Sequence, residues 1–237
     1  MKQLVLIMLL FTSVCLANAD RPLRIGLHYS APWAYADEAG QLTGIDYQMV
    51  TRIFEQAGYQ VRVEVFSHER LVQKFHDKEL DYASPMAFEV PGAYPTMPYM
   101  PIQDVAVSRR SARFKLDDLQ DLQGKAVVAY QKASDVLGPI FASLVEDGGY
   151  LEMADRAQQF TLLFNDRVDL VVGDRKVLEY FSEKHYGAGR LRIHPIFPTV
   201  TYPGATWDKR LTDLFNQGLR QLKESGEYQQ LLEKDWP

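Results

Sequence analysis

Leu23-Arg24-Ile25-Gly26-Leu27-His28-Tyr29-Ser30-Ala31-Pro32-Trp33 is the stretch on which the fold turns. Apolar side chains alternate through Leu23, Ile25 and Leu27, which predicts a strand, and the run stops in a loop from Tyr29 to Trp33. Beyond Gly44 the period changes: Ile45, Met49, Val50, Ile53 and Phe54 recur at helical spacing, and Gly58 supplies the stop that a left-handed cap position prefers. Val61, Val63 and Val65 predict the next strand, Leu71, Val72 and Phe75 another helix stripe, and Tyr82 to Pro85 a short strand. Strands alternating with amphipathic helices define an α/β chain.

A second series starts after Asp117-Asp118-Leu119-Gln120. Lys125 to Tyr130 reads as a strand, and Val136, Leu137, Ile140, Phe141, Leu144 and Val145 as one helical face ending at Gly148-Gly149. Phe160, Leu163 and Phe164 mark a further helix, Leu170-Val171-Val172 an apolar strand, and Val177, Tyr180 and Phe181 the start of another helix. Leu211, Leu214, Phe215, Leu219 and Leu222 share one face of a long closing helix. The turn Asp77-Lys78-Glu79-Leu80-Asp81 before one strand rhymes with Asp166-Arg167-Val168-Asp169 before another, one residue shorter. Either the chain holds two similar βαβ lobes, or both are the polar turn that any α/β protein places between helix and strand.

With 237 residues, 46% of them hydrophobic and 24% charged, the chain can bury the core of one large domain or of two modest lobes. Its 26 basic and 31 acidic side chains leave a net charge of −5, so no diffuse basic field exists to hold a phosphate backbone, and nucleic acid is excluded as a partner. Residues 1–19 read as a secretory signal peptide: Lys2, an apolar run from Leu4 to Phe11, then Ala17-Asn18-Ala19 before cleavage at Asp20. That apolar run is shorter than the ~18 to 20 residues of a membrane span. Val14 before Cys15 is bulkier than lipoprotein processing prefers, so the mature protein is expected to be soluble, without membrane insertion and without a cysteine. No Gly-x-Gly-x-x-Gly, Walker loop or Gly-x-Ser-x-Gly elbow occurs. His68 and His76 stand eight apart, where zinc-binding helices use four, and read as half-exposed surface histidines. No catalytic residue, metal or cofactor is expected.

Taken in order, these pieces resemble the extracellular solute-binding proteins of family 3, the periplasmic amino-acid-binding type. The residues that carry the likeness are Leu23 to Leu27, Pro32-Trp33, Gly40-Gln41-Leu42-Thr43-Gly44-Ile45-Asp46, Lys78-Glu79-Leu80-Asp81, Leu122-Gln123-Gly124-Lys125-Ala126-Val127-Val128, Val168 to Asp174, Gly226-Glu227-Tyr228 and Lys234-Asp235-Trp236. The resemblance implies a type II periplasmic-binding-protein-like fold, two α/β lobes with mixed sheets flanked by helices around a cleft. Lobe 1 would comprise 20–104 plus 202–237 and lobe 2 105–201, with crossings near Gln103 to Val107 and Pro198 to Tyr202.

Ligands in open α/β sheets sit where loops leave the carboxyl ends of strands. That rule selects Tyr29 and Trp33, as an aromatic wall or as packing, and Ser84, Pro85 and Met86, as hydrogen-bonding groups or as an ordinary turn. Gln131-Lys132-Ala133-Ser134 stands where the family has a Gly-Thr or Gly-Ser pair at a helix start, whose N–H groups and dipole suit a carboxylate; Ser134 as a plain cap is compatible with that. Asp174 matches the family acid that pairs with a ligand ammonium, or caps the helix beginning near Arg175. In amino-acid-binding relatives an arginine about a dozen residues after the position of Asp81 clamps the ligand carboxylate, but Phe88-Glu89-Val90-Pro91-Gly92-Ala93-Tyr94-Pro95 holds none. Either Arg175 compensates from the other lobe, or the ligand is another cation or a neutral solute.

The leading expectation is a monomeric periplasmic protein that captures a small polar ligand, an amino acid or related solute, for an ABC transporter or a sensor. A periplasmic enzyme on the same scaffold, resembling cyclohexadienyl dehydratases, with Asp174 or Glu89 as acid and Lys132 as its partner, is the alternative from another class. The third is an orphan receptor domain that has lost its ligand. A co-purified solute would favour binding, and turnover of prephenate the enzyme.

Overall fold

The computed structural model describes residues 21–87, 89–234 and 236; the leader expected at 1–19 lies outside them. In chain order the first half holds β1 (Leu23–His28), β2 (Tyr35–Ala36), β3 (Leu42–Thr43), α1 (Ile45–Gln56), β4 (Val61–Phe66), α2 (His68–His76), β5 (Tyr82–Ser84), β6 (Tyr94–Pro95) and β7 (Met100–Arg109). Then follow β8 (Val127–Ala129), α3 (Ala133–Val145), β9 (Tyr150–Glu152), α4 (Arg156–Phe164), β10 (Leu170–Asp174), α5 (Arg175–Tyr186), β11 (Leu191–His194) and β12 (Thr199–Tyr202). The chain closes with β13 (Ala205–Thr206), α6 (Lys209–Glu224) and α7 (Glu227–Glu233).

These strands make two sheets, one ordered β4-β1-β5-β13-β6 and the other β11-β7-β10-β8-β9. Each has parallel strands at its centre, β1 between β4 and β5 and β8 between β10 and β9, and antiparallel strands beyond. Parallel central strands must be covered on both faces, and they are. In the first sheet Ile25 and Leu27 pack with Ile45, Ile53, Phe54 and Phe215 on one side, while Leu71, Phe75 and Leu80 close the other. In the second, Phe141 and Leu170 lie in one layer and Phe160, Val171 and Leu178 in the next. Each such side chain contributes ~1.5 to 3 kcal/mol by leaving water. The result is the two-lobed mixed-sheet α/β fold implied by the resemblance.

One ten-residue strand runs between the sheets. Met100 to Gln103 of β7 pair antiparallel with Tyr202 to Thr199 of β12, whereas from Asp104 onward β7 pairs with β10 and β11. The two connections therefore lie side by side as a single ladder. The rhyming turns also do the same work: Asp81 exchanges backbone and side-chain hydrogen bonds with Arg24 at the start of β1 (2.8 and 2.9 Å), and Asp169 does so with Ala126 just before β8 (2.8 and 2.9 Å). Lys78 and Asp166 both take φ of 58° in those turns.

One expectation fails within α3. The single apolar face read from Val136 to Val145 is broken, since Gly138 takes φ 88°, ψ 174° and leaves Val136 57% and Ile140 62% exposed. Pro139 explains the break, because its ring disfavours the helical conformation in the residue before it and it has no N–H to donate.

Candidate ligand-binding cleft

The carboxyl ends of β1, β8 and β10 open toward one another, and between the lobes lies a cleft of 400 Å³ lined by Tyr29, Tyr35, Arg156, Val177 and Tyr180 among others. Asp174 ends β10. Its Oδ1 accepts from the Val177 N–H at 3.0 Å, capping α5, and from Trp33 Nε1 at 3.1 Å across the cleft. Burial pushes its pKa up to about 6 against the pull of those two hydrogen bonds. Opposite it in the ladder stands Asp104 of β7, which accepts from the Tyr130 hydroxyl at 3.1 Å and is likewise raised by burial.

Arg156, at the start of α4, lies near enough to these carboxylates to feel their charge. Its Nη1 donates to Gln159 Oε1 at 2.8 Å and lies where a Cβ on Gly173 would come within 3.2 Å of it. Burial lowers the Arg156 pKa, and the charges of Asp174 and Asp104 pull it back. Two carboxylates thus stand near one guanidinium, so this meeting of β7 and β10 carries an excess of negative charge when both are ionised. On the facing wall the His28 ring stands edge-on to His68 with centroids 5.8 Å apart. Burial, then His68 and Arg156, push the His28 pKa down to about 4, so it is neutral at neutral pH.

Trp33 owes its position to α1. Gly44 precedes that helix at φ 122°, and the carbonyls of Pro32 and Trp33 accept the first free N–H groups, from Ile45 at 2.9 Å and Asp46 at 2.8 Å. The loop is thereby tied to a helix start and the indole, 2% exposed, is held against the opposite lobe. Tyr29, 57% exposed, lines the cleft mouth.

The other sequence-derived candidates sit in different surroundings. The Ser84 hydroxyl meets Tyr99 Oη at 2.7 Å, inside lobe 1, and Tyr99 donates in turn to the buried Asp46. Met86 packs beside Phe75 and Leu80 and gives its N–H to the Pro203 carbonyl at 2.8 Å, with Pro85 half-buried between the two. Gln131 is exposed, and Arg175 turns to Glu179 on its own helix at 3.2 Å. At the start of α3, one carboxylate of this chain already takes the donors: Glu152 accepts from the Lys132 N–H (2.6 Å), the Ser134 N–H (3.0 Å), Ser134 Oγ (2.8 Å) and Tyr150 Oη (2.8 Å). Burial works to raise the Glu152 pKa, but the Ser134, Tyr150 and Lys132 hydrogen bonds outweigh it and the net shift is downward.

Asp104, Arg156, Tyr130, Glu152 and His28 escaped the sequence reading. Asp104 left one signal, an acid abutting the apolar run Val105-Ala106-Val107. Among the described residues, no helix is long and apolar enough to cross a membrane, and no three His, Cys, Asp or Glu side chains gather as a metal site.

Two mixed sheets, a paired double connection and a charged, aromatic-walled cleft between them define a two-lobed solute-binding protein. The chain belongs to the bacterial extracellular solute-binding proteins, family 3, whose family model matches residues 23–236. It is 24% identical over 238 residues to an arginine-binding periplasmic protein of Mannheimia haemolytica, covering 97% of this chain and 96% of that one. Among solved structures it is similar to a mutant of the arginine-binding protein ArgBP from T. maritima, at 25% identity and a TM-score of 0.71 over 89% of this chain and 93% of that one. The GluR0 ligand-binding core in complex with L-glutamate shares the fold at a TM-score of 0.77 and 19% identity, over 91% of this chain and 98% of that one.

Proposed function

We propose that the mature protein works in the periplasm as a monomer, closing its lobes on a small polar solute, an amino acid or a relative of one, whose cationic end lies on Asp174. The closed form is then presented to a membrane transporter or a sensor. Asp174 carries this reading: it is a half-buried acid at a strand end where the lobes meet, opposite a second acid and touching the other lobe through Trp33. The arginine-binding relative of Mannheimia haemolytica supports a cationic ligand. Where β7 changes partner, between Gln103 and Asp104, supports dividing the lobes as 20–104 plus 202–237 and 105–201.

Binding alone is required. Of the groups a dehydratase-like reaction would draw on, Lys132 reaches Glu69 at 3.7 Å on an exposed rim and Glu89 is exposed. Calorimetry and thermal shift with amino acids, amines, carboxylates and small sugars test the proposal. A solute that binds and raises the melting midpoint is expected. Silence across the whole set, or turnover of prephenate, would overturn it.

A further inference from the structure

Glu152 sits in a position that a ligand's carboxylate would otherwise compete for. The start of α3 follows the carboxyl end of β8 and faces the other lobe, since Lys132 pairs with Glu69 across the gap. The free N–H groups that open a helical turn attract an anion. Here that attraction is spent on the chain itself: two backbone N–H groups, one serine hydroxyl and one tyrosine hydroxyl all converge on the Glu152 carboxylate. An incoming carboxylate would find those donors taken and a negative charge in their place.

Among the described residues, the lysine and arginine side chains around the cleft each already stand near an acid. Arg175 pairs with Glu179, Lys132 with Glu69 and Lys184 with Glu38, while Arg156 donates to Gln159 and feels the charges of Asp174 and Asp104. A cation entering the same space meets the opposite situation, because Asp104 and Asp174 stand opposite each other in the ladder where the second lobe meets Trp33 of the first, with one guanidinium, that of Arg156, nearby. The exposed Tyr29 ring at the cleft mouth adds an aromatic face suited to an organic cation.

We propose that Glu152 sets the ligand class by occupying the anion seat of the cleft from within, so that the protein selects a cationic amine without a carboxylate beside its amino group. This rests on the solute-binding reading above and narrows it.

Calorimetry on the full mature chain decides it with matched probes: L-arginine against agmatine, the same molecule without its carboxylate, and L-lysine against cadaverine. In the wild type each amine should bind more tightly than its parent amino acid, by roughly tenfold or more, the value of one charge-assisted hydrogen bond lost and one repulsion gained. Glu152→Gln should narrow that preference and Glu152→Ala should abolish it. The glutamine variant keeps an acceptor oxygen for Ser134, so it reports even if the alanine variant unfolds α3, which melting curves without ligand will show. Wild-type binding of the amino acid as tight as that of the amine overturns the inference and leaves solute binding intact, as does an amine preference unchanged in the folded Glu152 variants. If none of the four probes binds, the inference fails, and the solute-binding reading fails with it only when the broad solute set is silent too.

Discussion

Asp174 does two jobs with one oxygen, capping α5 and meeting Trp33, and the charge is needed for neither. Asparagine keeps an acceptor there, so Asp174→Asn is expected to fold normally and to weaken a cationic ligand by about 1.5 to 3 kcal/mol, tenfold to over a hundredfold. Unchanged affinity by calorimetry would reduce Asp174 to a cap. Asp46 poses a different problem, being 1% exposed with its carboxylate on Tyr99. Burial raises its pKa to about 6, against the lowering effect of Tyr99 and Ser84, while an unfolded aspartate titrates near ~3.9. Between those values the folded state holds the proton and the unfolded state does not, so Asp46 contributes stability at low pH that is lost as pH rises through about 6. His28 acts in the opposite sense: its folded value of about 4 lies below an unfolded value near ~6.5, and its contribution is lost as pH falls. Comparing wild type with Asp46→Asn isolates the carboxylate. In urea melts the difference should shift toward the variant by on the order of 2 kcal/mol between pH 4.5 and 7.5, and a pH-independent difference would refute the assignment.

At the scale of elements, the approach of the Trp33 loop to α1 depends on Gly44. Its φ of 122° is disfavoured for any residue with a side chain, and a Cβ there would lie 2.4 Å from the Trp33 carbonyl oxygen. Gly44→Ala should therefore cost ~2 to 4 kcal/mol, a large value for one methyl group, and should weaken ligand binding further by moving the indole. Chemical denaturation and tryptophan fluorescence measure the two effects separately; a variant as stable as wild type would show that the loop can shift without loss. In α3 the break at Gly138 and Pro139 sets the first turn apart from the rest, so the segment that meets Glu152 is a short turn and the packed segment is the one around Phe141.

Across the described residues, the lobes touch through scattered contacts, among them Val177 packed against the core that holds Trp33. Trp33 meets Asp174, the Tyr35 and Tyr180 rings lie 5.5 Å apart, Lys176 donates to the Leu232 carbonyl at 2.7 Å, and Lys132 and Lys184 approach Glu69 and Glu38. Exposed ion pairs of that kind contribute ~0 to 1 kcal/mol each and are screened by salt. Closure of the free protein is thus weakly held, and a ligand touching both walls favours it through contacts the open form lacks. Small-angle scattering should show the free protein expanding as salt rises to ~0.5 M, beyond the screening of surface pairs, while the complex stays compact. A solute at a hundred times its dissociation constant should also stabilise the fold by ~2.7 kcal/mol. Equal dimensions under all conditions would mean that the lobes do not hinge.

What the sequence determined by itself is local. Periods of two and 3.6 are properties of neighbouring residues, so the central strands, most helix faces and the paired turns at Asp81 and Asp169 were legible from residue order, as were Trp33 and Asp174 at strand ends. Tertiary structure decided what depends on distant partners. Two-residue strands such as β6 and β13 exist only because they pair, and the ten residues of β7 read as a crossing until their two sets of partners are known. The face a strand residue presents follows its register, which turned Ser84 inward to Tyr99. Asp104, Arg156 and Asp174 converge from three separate elements, and Glu152 finds its donors some 20 residues back along the chain. A hydrogen bond or an ion pair binds whichever group folding brings within about 3 Å, and no local pattern records that choice.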